Sequence, residues 1–95
     1  MDNTKMIRIE LSIDDRDLIL QHVPLFYPGL KEKIGKKLAR NRMISLEVSK
    51  SELSELIGCV AREANHTSNR KLERELDPLF EYLESAEYLS KRQGV

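Results

Sequence analysis

The chain has 95 residues, of which 34% are charged and 40% are hydrophobic, and its sixteen basic and sixteen acidic side chains leave a formal net charge of zero. A chain of this length supports one small core, so we interpret residues 1–95 as a single domain. The balanced charge excludes a strong overall attraction to nucleic acid or membranes. No apolar run approaches the roughly 20 residues that a membrane-spanning helix needs.

Cys59 is the only cysteine, so the chain cannot form an internal disulfide. Small secreted domains usually contain several cysteines. The first residues also lack the basic stretch followed by an apolar stretch that marks a signal peptide. These observations predict a cytoplasmic protein.

Two segments with alternating aliphatic and polar residues predict short β-strands at about 6–12 and 43–48. Strict alternation is typical of a sheet with one buried face and one wet face. The two segments also begin a repeat, because residues 6–23 and 43–60 align without a gap and share five identical residues of eighteen. We interpret the repeat as an internal duplication, although any two units that each join a strand, a cap and a helix share some residue types.

Each predicted strand ends at a serine that can cap a following helix. Ser49 has Glu52 three residues later and completes a capping box, whereas Ser12 has the shorter Asp15. Apolar residues at three- and four-residue spacing then predict helices at about 13–23, 30–40, 50–64 and 69–90.

Three residues mark where these predicted helices end or bend. Pro24 ends the first helix, and Asn65 ends the third in a left-handed conformation. Pro78 bends or briefly breaks the last one.

These elements predict an α+β fold with two layers and two βαα half-units, at about 6–41 and 43–91. A pseudo-twofold axis perpendicular to the sheet would make the strands antiparallel and place every helix on one face. An isolated two-stranded sheet is marginal in water. Helix cover, or strand pairing with a second subunit in a homodimer, would stabilise it.

A polar junction between the last two predicted helices is the first candidate functional site. Its candidate interaction or ligand residues are Arg62, Glu63, Asn65, His66 and Arg70. Such residues also cap helices, since their side chains satisfy free backbone groups. We favour capping over a ligand or partner site, and either over catalysis by His66 with Glu63.

A basic segment at residues 31–42 is the second candidate. Lys33, Lys36, Lys37 and Arg40 would share one face of a helix and could follow a phosphate backbone. No aromatic residue is interleaved for base stacking. Pairing with the acidic residues of 73–87, or simple solvation, explains the same charges, so nucleic acid is the alternative partner and not the expected one.

A metal site is a weaker candidate. His22 and Cys59 occupy equivalent repeat positions and His66 could join them, but no spacing typical of a zinc half-site is present. We therefore predict no metal, no cofactor and no catalytic residue.

Four of the five aromatic residues occur as two pairs along the chain. Phe26 and Tyr27 lie between two prolines, and Tyr82 and Tyr88 lie on the last predicted helix. We expect all four to pack in the core, and exposure would instead suggest an interface.

The sequence favours a non-enzymatic protein-interaction or regulatory module that binds an unidentified protein partner and forms a homodimer, with no membrane association. A nucleic-acid binder is the first alternative. A ligand or metal site near 65–70 is the second.

Overall fold

A computed structural model describes residues 6–27 and 29–93, and the side chains of residues 92 and 93 are not described. Residues 1–5, on which the expectation about a signal peptide rests in part, lie outside this range. In chain order the elements are β1 (Ile7–Ser12), α1 (Ile13–His22), α2 (Leu30–Lys36), β2 (Met43–Val48), α3 (Lys50–His66) and α4 (Arg70–Gln93). The predicted α+β class, with an antiparallel strand pair and four helices, is confirmed for the described residues.

The two strands pair antiparallel with Ile9 opposite Leu46 at the centre of the ladder. Burial alternates along both strands, as predicted, and the aliphatic side chains lie in the core. Leucines and isoleucines from all four helices complete that core, and twelve of the large side chains are almost fully buried: Ile9, Leu11, Ile19, Leu30, Ile34, Ile44, Leu46, Leu53, Leu56, Leu76, Leu79 and Leu83.

The serine caps form as predicted. The Ser49 hydroxyl accepts the Glu52 N–H at 3.1 Å, and the Glu52 carboxylate accepts the Ser49 N–H at 2.9 Å, which completes the capping box. At the start of α1, the Ser12 hydroxyl accepts the Asp15 N–H at 3.0 Å. Burial raises the pKa of Asp15, although the hydrogen bond with Ser12 opposes that rise.

The predicted helix at 30–40 is too long, because α2 ends at Lys36. Arg40 and Met43 exchange backbone hydrogen bonds of 2.7 and 2.9 Å across a tight turn whose central residues, Asn41 and Arg42, have positive φ. A two-residue turn of this kind needs extended residues on both sides, so Arg40 cannot be helical. Leu38, which the helical spacing placed in the core, is 87% exposed.

The third and fourth helices also differ from the prediction at their ends. Asn65 lies inside α3, which continues to His66 and ends at an extended Thr67, so the predicted left-handed Asn65 is wrong. Pro78 lies inside a continuous α4, which is neither split nor interrupted there. Helix α4 begins after Asn69, whose side chain accepts the N–H groups of the second and third helical residues at 3.0 and 3.2 Å.

One ion pair connects α2 to the start of α3. The Lys33 ammonium lies 2.9 Å from the Glu52 carboxylate and also donates to the Glu47 carbonyl at 3.1 Å. Partial burial alone would raise the pKa of Glu52. The hydrogen bonds from Lys33 and Ser49 outweigh that effect and lower this pKa below its ordinary value of 4.5.

We expect Glu52→Gln to lower the free energy of unfolding by about 1 kcal/mol at neutral pH, because a cap and a partly exposed ion pair are both weakened. Since the pKa of Glu52 is lower in the folded state, its charge-dependent contribution is fully present above the unfolded pKa and is lost as pH falls through the folded pKa. Urea unfolding at a series of acidic pH values should therefore show that the free energy of unfolding falls less steeply with decreasing pH for Glu52→Gln than for the wild type. Glu81→Gln, at an exposed position, is the control. If the free energy of unfolding of Glu52→Gln depended on pH as that of the wild type does, the lowered pKa of Glu52 would be contradicted.

Candidate functional site

An open groove runs along the surface of α3, between the link that follows α1 (residues 23–27) and the C-terminal part of α4. Its volume is about 480 Å³. The link contributes aromatic side chains, α3 contributes small and charged ones, and α4 contributes charged and hydroxyl groups. The lining residues used below are Phe26, Lys50, Ser54, Glu55, Gly58 and Arg62, with Lys91 from α4.

Phe26 lies at the rim of the groove with its side chain directed outward. It is 65% exposed and Tyr27 is 40% exposed, so the expectation that these aromatic residues pack in the core is wrong. The Glu55 carboxylate accepts the Phe26 N–H at 3.1 Å and thereby fixes the backbone of the link against α3. Val23 and Leu30, which precede and follow this segment, are buried, whereas Phe26 between them lies on the surface.

Cys59 forms the inner wall of the groove and is only 7% exposed. Its thiol donates to the Glu55 carboxylate at 3.4 Å. Burial, together with the hydrogen bond and negative charge of Glu55, raises the pKa of Cys59 to about 11. The thiol is therefore protonated at neutral pH and lacks the thiolate character that a reactive cysteine needs.

The floor of the groove is formed by small residues on one face of α3. Ser51, Ser54 and Gly58 follow one another at three- and four-residue spacing, which places them on the same helical face. A Cβ atom built on Gly58 meets no atom within 4 Å, and Gly58 does not have positive φ. Neither packing nor backbone conformation explains a glycine in the middle of this helix.

Three cationic side chains surround the groove. Lys50, Arg62 and Lys91 are exposed, and none forms an ion pair within the described part of the chain. Two carboxylates also line it, but Glu55 is already bonded to Phe26 and Cys59, whereas Glu87 is partly buried. Anionic groups entering the groove would therefore meet cations that have no carboxylate partner among residues 6–27 and 29–93.

The predicted site at the junction of α3 and α4 is only partly assembled. Asn65, His66 and Arg70 are exposed at the junction, while Arg62 lies one turn earlier and lines the groove. The fifth candidate, Glu63, is half-buried, and its carbonyl accepts the Thr67 N–H at 3.0 Å. The hydrogen bonds that cap the junction come from Thr67 and Asn69, which are not among the five candidates.

The predicted basic face does not form on a single helix. Lys33 belongs to α2 but is paired with Glu52, Lys36 is its last residue, and Lys37 is extended. Arg40 lies in the turn that leads into β2. The four residues Lys33, Lys36, Lys37 and Arg40 are therefore distributed over a helix end, an extended link and a turn.

The three residues considered for a metal are not brought together as a site. Within the described ranges, no three side chains of histidine, cysteine, aspartate or glutamate are grouped so that they could hold a metal ion. His22 is exposed at the end of α1, whereas Cys59 faces inward and is bonded to Glu55. His66 is exposed at the end of α3.

Sequence reasoning missed most of the groove, including Lys50, Ser54, Glu55 and Lys91. These residues belong to segments that are far apart in the chain, and each resembles an ordinary solvated residue. Gly58 carried the one available signal, because glycine in the middle of a strongly amphipathic helix costs stability relative to alanine.

The described part of the chain contains no helix that is long and apolar enough to cross a membrane. Comparisons of the chain with protein-family models, with curated proteins and with solved structures each give no match.

Proposed function

We propose that this chain is a protein-interaction module without catalytic activity, and that it binds a short apolar segment flanked by acidic residues in the groove along α3. The observation that carries the proposal is Gly58. A glycine that neither packing nor backbone conformation requires lies on the floor of a groove of about 480 Å³. A missing side chain at that point allows the backbone of a partner to approach α3 closely.

The rim of the groove supplies a contact that suits an apolar partner residue. Phe26 presents a large apolar side chain to solvent, and Glu55 holds its backbone in place. The backbone of Phe26 is already held, and its side chain has only two torsion angles to fix on binding, so little conformational freedom is lost. Aromatic residues are also enriched among those that dominate binding energy. These features support a preformed contact.

The charges favour a partner segment with acidic flanks. Lys50 lies at the N-terminal end of α3, Arg62 lies three turns along it, and Lys91 belongs to α4. Because none of them has an ion-pair partner in the described residues, an acidic flank would add attraction without breaking an existing pair. The high pKa of the Cys59 thiol supports a binding role for this surface over nucleophilic catalysis.

Selection from a displayed peptide library tests the proposal. We expect the selected peptides to carry an aromatic or aliphatic anchor beside Asp or Glu. They should bind Phe26→Ala and Arg62→Glu at least tenfold more weakly, because the first variant removes the proposed apolar contact and the second replaces an attractive charge with a repulsive one. Leu38→Ala, which removes an exposed apolar side chain elsewhere, is the matched control. Failure to select a peptide, or selected peptides that bind all variants equally, would refute the proposal.

The proposed βαα duplication is supported by the register of the sheet. The repeat relates each residue of β1 to the residue 37 positions later, so Ile9 corresponds to Leu46. These two residues are paired with each other at the centre of the ladder. A pseudo-twofold axis perpendicular to the sheet requires one such self-equivalent pair, so we retain the two half-units as part of the proposal. The cytoplasmic setting also stays a proposal, and the free thiol of the single cysteine supports it.

A further inference from the structure

A second cavity, of about 420 Å³, lies on the polar face of the two-stranded sheet. Both strands line it, and so does the link between α2 and β2 (residues 37–42). Its volume falls within the range of small-molecule sites, which is roughly 300–1,000 Å³. None of the residues that line this cavity also lines the groove along α3, so the two surfaces are separate.

Three cationic side chains from two distant parts of the chain line this cavity. Arg8 belongs to β1, whereas Lys37 and Arg40 belong to the link. All three are exposed, and none forms an ion pair within the described part of the chain, in contrast to Lys33. One carboxylate, that of Glu10, also lines the cavity, so positive charge is in excess. An anionic ligand would be attracted there without breaking an existing ion pair.

The turn beside the cavity contains an arginine at an unfavourable backbone position. Asn41 and Arg42 have φ values of 51° and 64°. The second central position of such a turn strongly favours glycine, because a side chain there is strained. Arg42 is exposed, and its side chain forms no hydrogen bond or ion pair with the described residues that would explain an arginine at this position. It adds a further cation next to the cavity.

Apolar and hydrogen-bonding groups lie beside these cations. Leu38 and Met43 line the cavity with exposed apolar side chains. Ser45 contributes a hydroxyl group, which can donate or accept a hydrogen bond. The Glu10 carboxylate can accept a hydrogen bond from the amino group of a cytosine or adenine base, whereas it would repel a ligand that is anionic throughout. The cavity therefore suits a ligand with one anionic part and one flat part that carries an amino group.

We propose that this cavity binds a nucleotide, either free or as part of a single strand. The phosphate would contact Arg8, Lys37 and Arg40. A planar guanidinium donates parallel hydrogen bonds that match the oxygens of a phosphate, and a lysine adds a point charge. The base would lie against Leu38 and Met43, which would remove part of their apolar surface from water.

Isothermal titration at low salt with ADP, a short adenine oligonucleotide and inorganic pyrophosphate provides the first test. Pyrophosphate has the two phosphoryl groups of ADP and lacks its sugar and base. We expect ADP or the oligonucleotide to bind at least tenfold more tightly than pyrophosphate, because only they contact the apolar wall. The tighter of the two identifies the source of the nucleotide. No binding of either at millimolar concentration, or an affinity no higher than that of pyrophosphate, would overturn the proposal.

Substitutions of exposed side chains provide a second test that leaves the core intact. We expect Arg8→Gln and Arg40→Gln each to weaken binding of the preferred nucleotide at least tenfold, because each removes a hydrogen bond to a charged group. Leu38→Ala should weaken binding of that nucleotide and leave binding of pyrophosphate unchanged. Arg74→Gln, which changes an exposed arginine of α4, is the matched control. Affinity that survives both arginine changes would overturn the proposal. Phe26→Ala should leave it unchanged, which separates this cavity from the groove.

Discussion

Leu56→Ala is expected to lower the free energy of unfolding by about 2–5 kcal/mol, whereas Leu38→Ala should change it by less than about 0.5 kcal/mol. Leu56 is fully buried on α3, and its removal leaves a cavity that the surrounding side chains fill only in part. Leu38 is 87% exposed, so its side chain gains little from folding. Because a domain of this size has about 5–14 kcal/mol of total stability, the change at Leu56 removes a large part of it.

Urea unfolding followed by far-UV circular dichroism measures this difference directly. The two variants carry the same chemical change, so any difference in the urea midpoint reports the difference in burial. The slope of the unfolding free energy against urea concentration should stay similar to that of the wild type. An equal loss at both positions would show that Leu38 is packed in solution and would contradict the early end of α2 at Lys36.

The elements that carry strong local signals could be predicted from the sequence. Alternation identified both strands, and the residue range 43–48 was predicted without error. The capping box of Ser49 and Glu52 was predicted because two side chains three residues apart satisfy each other's backbone groups. Such features depend on neighbouring residues alone.

The features that depend on distant residues could not be predicted. Leu38 continues the four-residue spacing of Leu30 and Ile34, but the turn before β2 requires an extended chain and overrides that local preference. Phe26 was expected in the core because nothing near it in the sequence indicates that Glu55, 29 residues away, holds its backbone at the surface. The groove depends on this contact, and most of it was therefore invisible in the sequence.

Gly58→Leu is expected to reduce binding of a groove peptide by about tenfold to a hundredfold, because the new side chain occupies the space that a partner backbone would enter. Gly58→Ala should reduce binding less. It should also raise the free energy of unfolding by about 0.5–1 kcal/mol, since a Cβ at this helical position meets no atom within 4 Å. A gain in stability with a loss in binding is the result that distinguishes a functional glycine from a neutral one.

Gly35→Ala is the matched control for this pair. Gly35 also lies in a helix, and its added Cβ would make an ordinary contact with Leu20 at 3.8 Å; neither residue lines the groove. We expect this variant to leave peptide affinity unchanged, as measured by isothermal titration with a library-selected peptide. Should Gly58→Leu retain the affinity of the wild type while it remains folded, the floor of the groove would not be the docking surface. Gly58 lies on the face of α3 opposite the buried Leu56. The effect of Gly58→Leu on peptide binding and the effect of Leu56→Ala on the free energy of unfolding should therefore be separable.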